Sequence, residues 1–264
     1  MKLGMCNEPL RHHGMEGGLK HLARLGYDGV ELAPWTISPS VMDISDEDAG
    51  RVRRMAEEAS IEILGLQWVF GNQSECHLTH PGAQVRKRTL EYLHRIVALC
   101  GTLGDSVVIF GSPNQLKVPG GVEYGQAWDY AKGVLGNEAF LDSLSEPRVT
   151  FCLEPLCANQ TNFITTTEEA IRFVKKVNHP QFGMMLDGYA LGWAGEDVPK
   201  AIRLSAPYLK HFHEDDETGK GPGYGKLDYA PIAATLRGIG FTGCVSVEIH
   251  DYDLNPEEIG RAHV

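Results

Sequence analysis

Among the 264 residues there is no run of about 18 consecutive apolar residues, so no membrane-spanning helix is expected. The opening stretch, MKLGMCNEPL, lacks the long apolar core of a secretory leader. No CxxC pair stands among the six cysteines (Cys6, Cys76, Cys100, Cys152, Cys157 and Cys244), and most lie in or beside apolar runs. Buried free thiols in a cytoplasmic protein are therefore expected rather than disulfides. No GxGxxG opens a helix after the first apolar run, which argues against a dinucleotide site. Basic residues are few, 24 Lys and Arg against 35 Asp and Glu, for a net charge of −11. Nucleic acid and anionic membrane both demand concentrated positive charge, so neither is expected as a partner. Low-complexity tracts and linkers are absent as well.

What the chain has instead is rhythm. Strand-like runs fall at 2–7, 29–33, 62–69, 106–111, 148–156, 182–187, 209–214 and 244–250. Amphipathic segments lie between them, among them 17–25, 46–59, 84–103, 167–177 and 229–239. In the third, Leu90, Leu93, Ile96, Val97 and Cys100 recur at helical spacing. Thr165 to Thr167 followed by Glu168 and Glu169 predicts a helix N-terminus, with acids where the dipole favours them. Glycines in GYDG, GTLGD and GIGFTG sit where helices end before the next strand. Eight strands alternating with helices predict one α/β domain over residues 1–264, a closed (β/α)8 TIM barrel, with an open doubly wound sheet as the rival. The stretch 255–264 is short for a closing eighth helix; either the end is truncated or frayed, or the contacts of a homo-oligomer complete it.

Four of the apolar runs close on an ionisable group: Glu154 in FCLEPL, Asp187 in GMMLDGY, His213 in LKHFHED and Glu248 in CVSVEIHD. Runs of this kind are expected as parallel strands covered on both faces. Active sites of parallel α/β folds are built at the C-terminal ends of their strands. Singly, each residue has an ordinary explanation: a buried Glu paired with a base, or Asp187 as an N-cap. His211 and His213 alternate around Phe212 and share one side, one of them expected to hydrogen-bond a neighbouring strand-end carboxylate. Together, three carboxylates and one imidazole could not stay buried and unpaired, and a divalent cation would hold them. Such a donor set suits Mn2+, Co2+ or Mg2+, with Zn2+ less favoured because its sites more often use several His or Cys ligands. The cation would polarise a carbonyl and stabilise an enediolate, while Glu154 and Glu248 exchange protons with opposite faces of one carbon.

LEPL, MLDGY, HFHED and VEI, followed by PGYGKLDYAPI, make the chain resemble the sugar phosphate isomerase/epimerase family of xylose-isomerase-like barrels, and within it the ketose 3-epimerases acting on D-tagatose and D-psicose. GVEL in the second strand, HP…VRKRTLEYLHRIVALCGTLG in the third helix and GSP after the fourth strand extend the match over essentially the whole chain. The resemblance implies Glu154, Asp187, His213 and Glu248 as ligands of one divalent ion, with the two glutamates as the acid/base pair. It makes the second His of HFH the ligand and His211 the structural one. It also marks departures. Gln160 stands where the family has an acid, Ala190 where it has a His and Gly219 where it has an Arg, the three residues that grip the free ketose. A small-molecule sugar is the implied substrate, and a 3-keto glycoside or inositol derivative competes with a free ketose.

Further groups at strand ends are candidates for the cavity wall: Trp35, Trp68, Gln115, Gln160, His211 and Asp216 as substrate contacts, with Glu8, Arg11, His12, Gln67 and Lys117 nearby. Both tryptophans could equally be packing residues, and the acidic stretch 214–217 reads first as a solvated loop. Three rivals compete with an isomerase/epimerase. A lyase or dehydratase would share the enolised intermediate and the same glutamate base. A metal-dependent apurinic endonuclease would need a His at position 190 and a DxH where Asp228-Tyr229-Ala230 stands. A non-catalytic binding barrel would leave buried carboxylates without use.

Overall fold

The computed structural model describes residues 1–71, 73–104 and 107–250. Eight strands alternate with helices: β1 (Lys2–Cys6), β2 (Gly29–Leu32), β3 (Glu62–Leu66), β4 (Val107–Phe110), β5 (Thr150–Leu153), β6 (Phe182–Asp187), β7 (Leu209–Glu214) and β8 (Cys244–Val247). The helices are α1 (Gly14–Leu25), α2 (Asp46–Ala59), α3 (Ala83–Leu103), α4 (Pro113–Leu116), α5 (Tyr124–Leu135), α6 (Glu138–Ser143), α7 (Thr167–Val177), α8 (Gly188–Ala194), α9 (Val198–Ser205) and α10 (Tyr229–Gly238). Every strand pairs in parallel with the next in chain order, and β8 closes on β1. This is the TIM barrel, and the open sheet is excluded. Among the described residues no helix is long and apolar enough to cross a membrane. The expectations for 255–264 and for the first residue of the fourth run, Ser106, lie outside the described residues.

Local chemistry sets the element ends. Ser45 and Asp48 form a reciprocal capping box at the start of α2. The Thr166 hydroxyl accepts the Glu169 N–H at the start of α7. Gly26, with φ at +86°, ends α1 in the left-handed region. All six cysteines are free, and only Cys244 is not fully buried.

The sheet has two faces of unlike character. Val30, Leu32, Leu66, Val108, Phe110, Phe151, Leu153, Met184, Phe212 and Val245 join the large apolar core with residues of the surrounding helices. Alternation turns the other set toward the barrel axis. There Ile109, Cys152 and Met185 form a small apolar cluster of their own. Register sets Cys6 beside Glu31 and His211 beside Cys244. One side of the interior is therefore greasy and the other polar, with Glu31, His211, His213 and Ser246 all fully buried.

Candidate functional site

The polar side of the interior leads straight up to the C-terminal mouth. Glu154 follows the last residue of β5, Asp187 ends β6, His213 lies one residue short of the end of β7, and Glu248 follows β8. One donor atom from each of these four lies within 4.8 Å of the other three. Of the expected site residues, these are the ones that converge most tightly.

Asp187 shows why the cluster needs more than its protein neighbours. Its Oδ1 accepts the Ala190 N–H at 2.6 Å and caps α8, so the ordinary N-cap explanation holds for that oxygen. Its Oδ2 is buried and finds no hydrogen-bond partner among the described residues. A cap contributes about 1 kcal/mol, whereas a buried carboxylate without compensation costs several. The cap cannot account for the burial. Without a cation, burial first and then the Asp215 and Glu154 charges push the Asp187 carboxyl well above its ordinary range.

His213 is held from both sides. Its Nε2 lies 2.9 Å from Glu31 Oε2, and its Nδ1 lies 2.9 Å from Glu248 Oε2 and 4.0 Å from Asp187 Oδ2. Burial alone would lower the imidazole pKa, but Glu31 and Glu248 outweigh it and hold it well above the usual value. With both nitrogens facing carboxylates, the ring is an imidazolium in the metal-free molecule. Placing a cation among the four residues would leave Nδ1 as donor and Nε2–H on Glu31, the carboxylate–histidine arrangement common at metal sites.

Glu31 is the residue that sequence reasoning missed. It is fully buried in the middle of β2, and its Oε1 lies 2.7 Å from His211 Nε2. The partner expected for His211, a carboxylate at a neighbouring strand end, is thus corrected: the acid comes from a strand that does not neighbour β7 in the sheet. The only signal was an acid in the apolar run GVEL. Burial would raise the Glu31 pKa, but His211 and His213 prevail and hold it far below the carboxylate range.

The two glutamates have opposite surroundings. Burial, followed by the Glu248 charge, raises Glu154 to about 8. At Glu248 the same burial is overcome by His213 and His250, which hold the carboxyl below its ordinary value. The Glu154 carboxylate lies over Gly111, where a Cβ would stand 1.5 Å from Oε2. That contact explains the glycine of GSP.

Both glutamates line a cavity of about 220 Å³ with Gln67, Trp68, Gly111, Pro113, Leu156, Gln160 and His250. Trp68 has φ at +43°, a rare backbone for a bulky residue, and turns its ring to this wall. Of the six expected substrate contacts, Trp68 and Gln160 reach the cavity. Trp35 packs edge-on against Trp68 at 5.5 Å and borders a separate cavity beside α1. Gln115 is buried with its Nε2 on the Gln73 carbonyl at 2.8 Å. His211 lies buried against Glu31, and Asp216 takes the Thr218 N–H at 3.0 Å, away from the cavity wall. The solvated loop expected at 214–217 is corrected too, since Asp215 and Asp216 are fully buried. Glu8, which opens the 3-10 helix Glu8–His13 after β1, accepts from the Gln67 amide, and burial followed by the Glu248 charge pushes it up to about 8.

Comparison with known proteins agrees with this architecture. The profile of the xylose isomerase-like TIM barrel family matches residues 19–263. The D-psicose 3-epimerase of Agrobacterium fabrum is 27% identical over 234 residues, covering 87% of this chain and 77% of the relative. An L-ribulose 3-epimerase of Mesorhizobium japonicum is 22% identical over 251 residues, covering 94% and 79%. A crystal structure of D-psicose 3-epimerase with D-tagatose from Clostridium cellulolyticum superposes with a TM-score of 0.81 at 22% identity, over 94% of this chain and 85% of that one. The 3-keto-D-glucoside 4-epimerase of E. coli superposes with a TM-score of 0.83 at 16% identity, over 98% and 95%. The match of the family profile over nearly the whole chain makes this protein a member of the xylose isomerase-like TIM barrel family.

Proposed function

We propose that this chain is a divalent-metal-dependent sugar isomerase/epimerase working by proton transfer, with Glu154 and Glu248 as its acid/base pair. The observation that carries the reading is the convergence of Glu154, Asp187, His213 and Glu248, with donor atoms within 4.8 Å of one another and with Glu154 and Glu248 lining a cavity. The buried, unpartnered Asp187 Oδ2 supports a cation there. Mn2+, Co2+ or Mg2+ fits three carboxylates and one imidazole better than Zn2+ does. When bound, such an ion supplies Lewis-acid polarisation of a carbonyl and its neighbouring hydroxyl, which acidifies the C–H between them.

The chain's own residues do the rest. Asp187 and His213 are oriented by the α8 N-terminus and by Glu31, so they act as fixed donors. Glu248 and Glu154 come from the ends of different strands. One takes a proton from the carbon next to the carbonyl, and the other delivers one to its opposite face. Trp68 and Gln160 supply a ring face and an amide to the substrate. The relatives named as ketose 3-epimerases support a keto sugar as substrate class.

Turnover in D2O tests the reading. A panel of ketoses, ketose phosphates and 3-keto glycosides, followed by NMR with the manganese-loaded protein, should yield an epimer carrying deuterium at the inverted carbon. Glu154→Gln and Glu248→Gln should each lower turnover by roughly 10²–10⁴-fold. Products without solvent deuterium would mean hydride transfer and contradict the proposal. Deuterium uptake with loss of water or an aglycone would mark a lyase instead.

A further inference from the structure

We propose that His250 is a substrate-contacting residue that helps decide which sugar the site accepts, in room left by the absence of a side chain at Gly219. The proposal rests on reading the cavity as a sugar site. The imidazole lines that cavity beside Glu154, Glu248 and Gln160. Its Nε2 is 3.9 Å from Glu248 Oε2 and 3.3 Å from Asp215 Oδ2. About a third of the His250 side chain is exposed (36%), while Asp215 behind it is wholly buried.

Among the described residues, the His250 side chain is met by Tyr189 of α8, by Asp215 and Gly219 after β7, and by Glu248. The His250 N–H donates to the Gly219 carbonyl at 2.8 Å. The Tyr189 ring meets the imidazole edge-on at 4.9 Å, and the Tyr189 N–H fixes Asp215 Oδ1 at 2.8 Å. Gly219 has φ at +72°, and a Cβ there would stand 3.3 Å from the His250 Cβ. A larger residue at 219 would therefore displace the histidine. Asp215 is a positioning residue, Gly219 makes the room, and the His250 side chain borders the cavity.

With Nε2 turned to Asp215, the other ring nitrogen is the one this proposal assigns to a hydroxyl or carbonyl of a sugar held beside Glu248. A substrate that pairs with it gains a hydrogen bond in a partly water-excluded site. One that cannot pair leaves a desolvated polar group unmatched, which is how such sites discriminate. Two other roles fit the same atoms. The ring could serve only to pair Asp215, or it could be a metal ligand, since Asp215, Glu248 and His250 also bring donor atoms within 4.8 Å of one another.

His250→Phe keeps a flat ring without an N–H, and His250→Gln keeps a donor. Steady-state kinetics would be measured on the sugar that wild-type protein turns over best, with manganese content and melting temperature determined for all three proteins. The expected result is a KM raised about tenfold in the Phe variant, the scale of one lost hydrogen bond. The Gln variant should recover most of that loss, metal content should be unchanged, and the order of preference within the panel should shift. Unchanged KM and preference in both variants would overturn the proposal in favour of a purely structural ring. Loss of manganese in both would overturn it in favour of a ligand. Absence of any turnover by wild-type protein would sink the sugar-site reading itself, and the proposal with it.

Discussion

The two halves of the barrel mouth are built differently. Strands β5 to β8 end in Glu154, Asp187, His213 and Glu248, side chains that bring donor atoms within 4.8 Å of one another. Strands β1 to β4 contribute no member of that quartet, yet Glu31 of β2 anchors His213 and His211 from beneath. Glu8 and Gln67, just after β1 and β3, pair with each other beside the cavity. The first half supports, and the second presents. The difference teaches that an ionisable group at a strand end carries its role in its position, whereas one inside a strand acquires a role only when the barrel closes.

If Glu31 is a support in this sense, its charge should matter to metal binding although it offers nothing to the cavity. Glu31→Gln should weaken manganese binding by roughly 10–100-fold, the usual scale for partners of ligating histidines. Titration calorimetry would measure it. Unchanged affinity would reduce Glu31 to a residue that merely satisfies buried histidines, and the contrast between the halves would lose its meaning.

A smaller effect, in pH, sharpens the same contrast. Glu8 and Glu154, one from each half, go from an ordinary 4.5 to about 8 in the metal-free fold. The folded chain keeps these protons after the unfolded chain has released them. Their contribution to stability is therefore full below pH 4.5 and is lost as pH rises through about 8. The raised imidazoles of His213 and His250 act in the same direction. Glu31 and Glu248, held low, lose their contribution only as pH falls below the ordinary carboxylate range. The melting temperature of metal-free protein should fall across that window. Added Mn2+ should flatten the fall at Glu154 but leave the part due to Glu8. A flat metal-free profile would contradict the burial assigned to both acids.

Smallest should be the effect of Gln115→Ala. Its amide serves the Gln73 carbonyl, so KM for any sugar should stay within about twofold while stability falls by about 1 kcal/mol. A larger change in KM would mean that the Gln115 side chain itself reaches the substrate.

Much of this was legible in the chain. Eight apolar runs with helix-length spacing implied the closed barrel, and the polar residue ending each of the last four runs marked the quartet. The rest was hidden for physical reasons. Glu31 sits between Val30 and Leu32 in an apolar strand, and only barrel closure carries it under β7. Asp215 and Asp216 read as solvated because they follow Glu214 in an acidic run, yet the α8 N-terminus and the turn at Thr218 bury them. Trp35 and Gln115 lie at strand ends like true wall residues, but their rotation toward Trp68 and Gln73 depends on loops that no periodicity encodes. Asp187 was legible as a cap, which its Oδ1 forms, while its Oδ2 is left for the proposed ligand role.

That double part offers the most direct test. Asp187→Asn keeps an oxygen for the Ala190 N–H but removes the charge that a cation requires. Elemental analysis of wild-type and variant protein, loaded with Mn2+ and freed of excess, compares the two. The account predicts one ion per wild-type chain and almost none in the variant, with both folded to nearly the same melting temperature when metal-free. Equal manganese in the two proteins would place the metal elsewhere and contradict the site described here.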